Sequence, residues 1–246
     1  MTTSTLAFDY TTVQDMAETT LRLQLVRDRL VRLHPAEPPA VLEIGVGPGD
    51  LTLMLAQLTG HLTCIDCDGA TLGQVAERLA EHNLEHVRLL EEFVEMVDLR
   101  PHAYDAILLQ NMLEHLADPV GILRQVAAGL KDSGRIHISV PLAHSLHRHL
   151  GVAMGQLDQS DALAESDHAY GHYRVYDPAL LREHIEAAGL HIGYELPFYL
   201  KPLPTAMLAE LPIALHRGLF ELGQRFPELA AYMYVEASAS PANTID

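Results

Sequence analysis

Apolar residues recur at helical spacing from Thr11 to Leu33, and the prolines of residues 35–39 follow. This spacing predicts a long amphipathic helix that ends before the prolines. From residue 40 to Pro141, short apolar runs typical of strands alternate with amphipathic runs typical of helices. Such alternation, with short connections and strands that are apolar on both faces, favours a parallel sheet covered by helices on both sides.

The elements predicted in this part of the chain are the strand AVLEIGV, the helix DLTLMLAQL, the strand HLTCIDC, the helix ATLGQVAERLAEHN, the strands HVRLLEE and YDAILLQ, the helix DPVGILRQVAAGLK and the strand GRIHISVP. Residues 142–176 break this rhythm because they are rich in His, Gly, Asp and Ser. We expect them to form an insertion with one short helix.

Beyond the insertion the regular pattern returns. It predicts the helix DPALLREHIEAAG, a strand near HIGYELPFYL, a helix over residues 211–224 and a last strand, AAYMYVEAS. Residues 240–246 have little to bury, so we predict a mobile tail. We take residues 1–246 as a single domain.

Composition narrows the possible partners. The formal net charge of −17 makes nucleic acid a poor partner, because a phosphate backbone would meet a largely repulsive surface. The apolar runs fall short of the ~20 residues that cross a bilayer, and the first ten residues lack the pattern of a secretion signal. We therefore expect a cytoplasmic protein without a membrane partner. Its two cysteines, Cys64 and Cys67, are explained better as reduced thiols than as a redox or metal pair.

The stretch VLEIGVGPGD joins a predicted strand to a predicted helix through a glycine-rich turn. Gly45 and Gly47 let the backbone approach a ligand more closely than a Cβ atom would allow, which predicts a nucleotide-type cofactor. The carboxylates of Glu43 and Asp50 stand beside the turn, where they would repel a diphosphate and attract a cation. S-adenosylmethionine, with its ammonium and sulfonium, therefore fits better than a dinucleotide, whose usual fingerprint has glycine in place of Asp50.

Two further strand ends complete the predicted cofactor site. Asp66 closes the second strand, where a carboxylate can accept hydrogen bonds from both ribose hydroxyls, and Cys67 adjoins it. Helix capping is the alternative for Asp66 and the better explanation of Asp68. After the third strand, Glu92 can accept from the adenine amine and Phe93 can offer an apolar face, although Phe93 is equally well explained as a core residue.

Taken together, VLEIGVGPGD, the acid of CID, YDAILLQNMLEHLADP and LKDSGRIHISVP resemble the successive motifs of class I S-adenosylmethionine-dependent methyltransferases over residues 40–141. The resemblance implies a doubly wound, mostly parallel, seven-stranded α/β sheet whose last strand is antiparallel, with an N-terminal helical extension and an insertion after the fifth strand. It also implies that the cofactor is held by Gly45, Gly47, Asp66, Glu92 and Phe93, with Gln110 and His115 close to it.

The segment NMLEHLADP is similar to that of a small-molecule group that includes quinone-biosynthesis O-methyltransferases and natural-product methyltransferases. Some members of the quinone group use acids of this segment to hold a divalent metal. Asn111 stands at one of these positions and leaves Glu114 and His115, so we expect no metal requirement. Hydrogen bonding within the first turn of a helix is the alternative role of this pair.

Methyl transfer requires alignment of the acceptor, exclusion of water and, for a hydroxyl or a protonated amine, a group that takes the proton. Histidine suits this task near neutral pH. The insertion follows the fifth strand, at the edge where open α/β sheets bind ligands, so we expect His144, His168 or His172 to be the base. His147 and His149 are predicted to lie at the surface.

The other residues of the acceptor pocket are predicted from their positions along the chain. Residues 1–38 are expected to form a helical lid that carries Tyr10, with packing on the sheet as the alternative. Leu142, at the start of the insertion, and Tyr173 are expected to line the pocket. Arg174 could hold an acceptor carboxylate or phosphate, or pair with a neighbouring aspartate.

The function predicted from the sequence is transfer of a methyl group from S-adenosylmethionine to oxygen or nitrogen of a small metabolite, in secondary metabolism, by a monomer or homodimer. The alternative is a catalytically idle protein that binds the cofactor with the same fold and serves as a partner or sensor. A nicotinamide dehydrogenase is disfavoured by Asp50.

Overall fold

A computed structural model describes residues 16–203 and 205–240. Tyr10, most of the predicted tail and the first part of the predicted lid lie outside the described residues. The seven strands are β1 (Ala40–Ile44), β2 (His61–Asp66), β3 (Val87–Glu91), β4 (Tyr104–Gln110), β5 (Leu130–Pro141), β6 (His191–Phe198) and β7 (Tyr232–Ser238).

The strands form a single sheet in the order β3-β2-β1-β4-β5-β7-β6. The first five pair in parallel, and β7 lies between β5 and β6 and is antiparallel to both. This arrangement confirms the predicted doubly wound sheet with an antiparallel last strand. The chain winds outward from β1 to β3 and then returns to β4 on the other side of β1. This reversal leaves a crevice at the carboxyl ends of β1 and β4, where open α/β sheets bind their ligands.

Helices cover both faces of the sheet. Those of the described residues are α1 (Met16–Leu33), α2 (Asp50–Leu58), α3 (Gly69–Glu81), α4 (Pro119–Ala127), α5 (Leu146–Ala153), α6 (Glu165–Ala169), α7 (Pro178–Ala187), α8 (Thr205–Leu208) and α9 (Ile213–Arg225). None of them combines the length and the apolar composition that crossing a membrane requires. Apolar cores lie on both faces of the sheet, which explains why the strands read as nearly continuous apolar runs.

Two predicted elements differ from the structure. The helix predicted to reach Lys131 ends at Ala127, because Leu130 already pairs with Tyr104 at the start of β5 and a register shift follows. The insertion contains two short helices, α5 and α6, where one was predicted. The second forms because the Asp167 carboxylate accepts a hydrogen bond from the Ala164 backbone N–H (2.8 Å) at its first turn.

A buried ion pair fixes α1 on the sheet. The guanidinium of Arg29 donates from Nε and Nη2 to the two carboxylate oxygens of Glu236 on β7, at 2.6 and 2.7 Å. It also lies 3.7 Å above the centre of the Tyr194 ring. Burial opposes ionisation of Glu236, but the hydrogen bonds and charge of Arg29, together with His137 and the Tyr234 hydroxyl, lower the pKa of this carboxyl. The pair sets the position of the earlier turns of α1, which face the carboxyl edge of the sheet.

We predict that Glu236→Gln lowers the free energy of unfolding by about 3 kcal/mol, because Arg29 would then be buried without a counter-charge. Urea denaturation measures this change. The matched control is Arg182→Gln, since Arg182 makes a similar two-bond pair with Glu195 at the surface, and it should cost no more than about 1 kcal/mol. Equal effects of the two substitutions would contradict the role of the buried pair.

Candidate active site

A cavity of about 1680 Å³ lies at the carboxyl ends of β1 to β5. Its floor is formed by the loops that follow these strands, and its walls include one face of α1 and parts of the 142–176 insertion. Small-molecule sites usually occupy about 300–1000 Å³. The cavity therefore has room for a cofactor and a second small molecule side by side.

The glycine turn after β1 forms one part of this floor. Gly45 and Gly47 have φ angles of +80° and +48°, a region that residues with a side chain rarely adopt. A Cβ atom at position 45 would also lie 3.0 Å from the Sδ atom of Met112. The bend of the backbone therefore favours glycine at both positions, and close packing against Met112 adds to this at position 45.

Asp66 ties this turn to the end of β2. Its Oδ2 accepts from the backbone N–H of Val46 at 2.9 Å, and its Oδ1 accepts from that of Asp68 at 3.0 Å. Each carboxylate oxygen has a second lone pair, so both can still accept a hydrogen bond from a ligand hydroxyl. Asp68 caps α3 by accepting from the N–H of Ala70 and the hydroxyl of Thr71, as the sequence predicted.

Glu43 lies buried beneath the turn. Its Oε2 accepts from the Thr52 hydroxyl at 2.7 Å and from the Cys64 thiol at 3.4 Å, while its Oε1 has no hydrogen-bond partner in the described part of the chain. Burial raises the pKa of Glu43 to about 8. In the absence of a ligand, burial therefore favours the neutral carboxylic acid and weakens the negative charge that the sequence predicts for Glu43 at the turn.

Asp50 also differs from its predicted role. Its carboxylate pairs with Nη2 of Arg78 at 2.7 Å, and Nη1 of the same guanidinium donates to the Pro48 carbonyl. The ion pair offsets the charge that was expected to repel a diphosphate. The net negative charge at this end of the cavity comes instead from acids that follow β2 and β3, among them Asp66 and Glu92.

All the residues that the sequence assigned to the cofactor line this cavity, namely Glu43, Gly45, Gly47, Asp66, Cys67, Glu92, Phe93, Gln110 and His115. Phe93 is 51% exposed, which rules out a core role. Cys67 is exposed and Cys64 is buried, and both thiols are free. Burial, followed by the charge of His172, lowers the pKa of His115 to about 4.

His172 is the candidate base that the structure places in the cavity. Its Nδ1 lies 3.4 Å from Oδ1 of Asp167, and its ring meets the ring of His115 edge to face at 4.6 Å. The Asp167 carboxylate also accepts from Nη1 of Arg148 at 3.0 Å. Burial alone would favour the protonated acid, but the hydrogen bonds from His172, the Ala164 N–H and Arg148 hold the pKa of Asp167 well below its usual range.

The other two candidate bases lie outside the cavity. His144 is exposed, with Nδ1 3.0 Å from the Ser160 hydroxyl and its ring stacked on that of His149. The backbone of residues 142 and 143 pairs with Tyr176, and their side chains are buried. The side chain of the next residue, His144, therefore lies on the solvent side. His168 is exposed on α6, next to the buried Asp167. These positions argue against either histidine as the base.

His147 was predicted to lie at the surface and instead lines the cavity. Its Nδ1 is buried without a hydrogen-bond partner among the described residues. Burial, and then the charges of Lys201 and Arg148, lower its pKa to about 3. The ring is therefore neutral at pH 7. The sequence did not predict this position, because the face of α5 on which His147 lies depends on the residue at which the helix begins.

Arg174 does not serve either of its predicted roles. Its guanidinium donates to the backbone carbonyls of Leu113, Leu116 and Ala117, so it holds the turn after β4 and lies outside the cavity lining. Leu142 and Tyr173 do line the cavity. Two cations that the sequence did not indicate also line the cavity, namely Arg22 on α1 and Lys201 after β6. Nothing in the local sequence around either residue marks it as part of a site.

One group of potential metal ligands occurs in the described part of the chain. Ligand atoms of Glu114, His115 and His172 all lie within 4.8 Å of one another. Magnesium prefers an octahedron of oxygen ligands, whereas this group offers two imidazoles and one carboxylate. The Oδ1 of Asn111, at a position where the quinone group has an acid, accepts from the Ser139 hydroxyl at 3.1 Å. The residues therefore do not fit the acid-based metal site of the quinone group.

Comparisons with known proteins agree with this geometry. Residues 42–136 match the family described as a methyltransferase domain. A ubiquinone biosynthesis O-methyltransferase of Xanthomonas euvesicatoria pv. vesicatoria (strain 85-10) is 33% identical over 181 residues, which cover 70% of this chain and 69% of that protein. The protein of the same name from Aeromonas salmonicida (strain A449) is 29% identical over 150 residues, 61% of this chain and 62% of the relative.

Solved structures share the fold. The structure of an S-adenosylmethionine-dependent methyltransferase from Mesorhizobium loti matches with a TM-score of 0.61 at 13% identity and covers 85% of this chain and 95% of that one. At this identity the likeness concerns the fold alone. The Xanthomonas relative is similar over more than two thirds of both chains, and this similarity supports assignment to a family as well as to a fold. The chain belongs to the class I S-adenosylmethionine-dependent methyltransferases.

Proposed function

We propose that this protein transfers a methyl group from S-adenosylmethionine to an oxygen atom of a small-molecule acceptor. The observation that carries the proposal is one cavity that joins the glycine turn and Asp66 to the His172–Asp167 pair. Oxygen is favoured over nitrogen because the curated relatives are named O-methyltransferases. The chain spans about three fifths of the length of the Aeromonas relative, so the activity is inferred here from the site.

The residues at the β1–β3 end of the cavity fit the cofactor. The turn at Gly45 and Gly47 would receive its amino-acid part, Asp66 would accept from the ribose hydroxyls, and the Glu92–Phe93 segment would hold the adenine. The unpartnered Oε1 of Glu43 lies beneath the turn, where it would meet a polar or cationic group. When bound, the cofactor supplies an electrophilic methyl group on a sulfonium.

The chain's own contribution would be alignment, exclusion of water and removal of a proton. An acceptor hydroxyl becomes a good nucleophile as its proton leaves, and a positioned base speeds this step by about 10²–10⁴-fold. His172 would take the proton on Nε2, because its Nδ1 faces Asp167, which favours the tautomer protonated at Nδ1. Arg148 in turn fixes the Asp167 carboxylate.

The neighbours of His172 also restrict water. The His115 ring lies edge-on at 4.6 Å, and the Tyr170 ring stacks at 5.9 Å. The backbone N–H of Tyr173 donates to the Glu114 carbonyl at 2.8 Å, which holds the insertion against the turn after β4. These contacts support a base that is held rigidly next to the space where the two ligands would meet.

We predict that His172→Gln lowers kcat for methyl transfer by about 10²-fold or more, because the acceptor hydroxyl then lacks the group that takes its proton. The assay follows radiolabelled methyl from S-adenosylmethionine into hydroxyaromatic acceptors such as 3,4-dihydroxybenzoate and its methyl ester. The control is His168→Gln, because His168 is exposed in the same segment and should have no effect. Full turnover in His172→Gln would remove the base role, and no transfer by the native protein would favour the idle alternative.

A second prediction concerns metals. Because the Glu114, His115 and His172 group lacks the oxygen ligands of a magnesium site, dialysis against EDTA should leave the turnover within about twofold of its starting value. Added Mg²⁺ should not raise it. Loss of turnover on dialysis, with recovery on return of Mg²⁺ or of Zn²⁺, would show that this group acts through a metal.

A further inference from the structure

Asn111 has an unusual backbone conformation at the floor of the cavity. It follows β4 directly, lines the cavity and has a φ angle of +52°, in the left-handed region that few residues other than glycine adopt. Its backbone N–H donates to the carbonyl of Ser139 on β5 at 2.9 Å, which holds the bend in place. Such conformations cost free energy and concentrate at binding and catalytic sites. Asn111 is therefore a candidate for a role in the chemistry of the cavity.

Only one half of the Asn111 side-chain amide is occupied within the protein. Its Oδ1 accepts from the Ser139 hydroxyl at 3.1 Å, and Ser139 is fully buried. The other half, Nδ2, carries two N–H donors. Within residues 16–203 and 205–240 no group accepts a hydrogen bond from Nδ2. Because the residue lines the cavity, these donors are available to a ligand bound there.

Asn111 lies between the glycine turn and the candidate base. The next residue, Met112, packs against the turn, since a Cβ atom at position 45 would lie 3.0 Å from its Sδ. The backbone N–H of His115 donates to the Met112 carbonyl at 3.0 Å, and the His115 ring meets that of His172 at 4.6 Å. Residues 111–115 thus connect the part of the cavity that fits the cofactor with His172. The methyl group and the acceptor would meet between these two parts.

The proposed reaction creates a charge that N–H donors can stabilise. As the acceptor hydroxyl gives its proton to Nε2 of His172, the electron pair of the O–H bond stays on the oxygen. This pair forms the new bond to the methyl carbon, while the C–S bond breaks and its pair returns to sulfur. Negative charge therefore develops on the acceptor oxygen as the proton leaves. Fixed donors in a site shielded from water stabilise such a charge, whereas a carboxylate at position 111 would repel it.

We propose that Asn111 is a catalytic residue that donates from Nδ2 to the acceptor oxygen and stabilises its negative charge while His172 takes the proton. The inference rests on the proposed function and deepens it. It also accounts for an amide at a position where the quinone group has an acid, because an acid suits a metal ion and an amide supplies donors of its own. The competing explanation is that asparagine serves the backbone alone, since it tolerates the left-handed region.

Asn111→Gly and Asn111→Asp separate the two explanations. Both new residues tolerate a positive φ angle, but glycine removes the amide and aspartate replaces the donors by a charge. The probe is 4-nitrophenol, whose ionised form is coloured, added to the full chain saturated with S-adenosylhomocysteine and followed by absorbance over a pH series. The native protein should bind the ionised form at least tenfold more tightly than the neutral form. Each variant should reduce this preference at least fivefold and lower kcat for methyl transfer to 3,4-dihydroxybenzoate at least tenfold.

The matched controls are Asn83→Gly and Asn83→Asp. Asn83 has nearly the same φ angle, +56°, but is exposed outside the cavity lining. Both controls should keep the native preference and turnover. Asn111→Gly and the controls should bind S-adenosylhomocysteine within twofold of the native affinity, which shows that the fold and the cofactor site are intact.

The proposal is overturned if the native protein binds the neutral probe as tightly as the ionised one, if it binds neither form, or if Asn111→Gly keeps the native preference. Failure of S-adenosylhomocysteine to bind, or absence of methyl transfer by the native protein, would instead overturn the proposed function. The same comparison of the two probe forms, made on the native and Asn111→Gly chains alone, would then decide whether Asn111 stabilises an oxyanion in this cavity.

Discussion

The site depends on the hydrogen bonds by which Asp66 joins two neighbouring strand ends. One carboxylate oxygen holds the backbone of Val46 in the glycine turn, and the other holds the start of the loop that leads to α3. Because the turn follows β1 and Asp66 ends β2, these bonds fix the shape of the cavity floor at the point where the cofactor would lie. The acids that follow β2 and β3 then give this end its negative charge.

The opposite end of the cavity is built from parts of the chain that are distant in sequence. The buried Arg29–Glu236 pair fixes α1 on β7 and thereby positions Arg22 over the cavity. Lys201 arrives from the far edge of the sheet, and the insertion brings His172 through its contacts with Asp167 and the turn after β4. One cavity thus combines an acidic end with a candidate base.

The sequence predicted the sheet and the glycine turn because these depend on local patterns at strand ends, and the residues it proposes for the cofactor line one cavity. The sequence was a poorer guide to the ion pairs and the protonation of the acids at this site. The partner of Asp50 is Arg78, 28 residues away, and the pKa of Glu43 is set by burial that no local pattern reveals. Likewise, Arg174 donates hydrogen bonds to backbone carbonyls. Because every residue has a carbonyl, such partners leave no signal in the sequence. His144 and His147 exchanged their predicted places because their orientation depends on where α5 begins.

The central claim is that the turn after β1 and Asp66 bind a cationic adenosyl cofactor. Titration calorimetry of the full chain with S-adenosylmethionine and with NAD tests it most directly. The account predicts heat with S-adenosylmethionine and none with NAD. It also predicts that Asp66→Ala weakens binding by about 1 to 3 kcal/mol, while Asp177→Ala, which removes the cap of α7 away from the cavity lining, leaves it unchanged. Binding of NAD in place of S-adenosylmethionine, or an unchanged affinity in Asp66→Ala, would contradict the account.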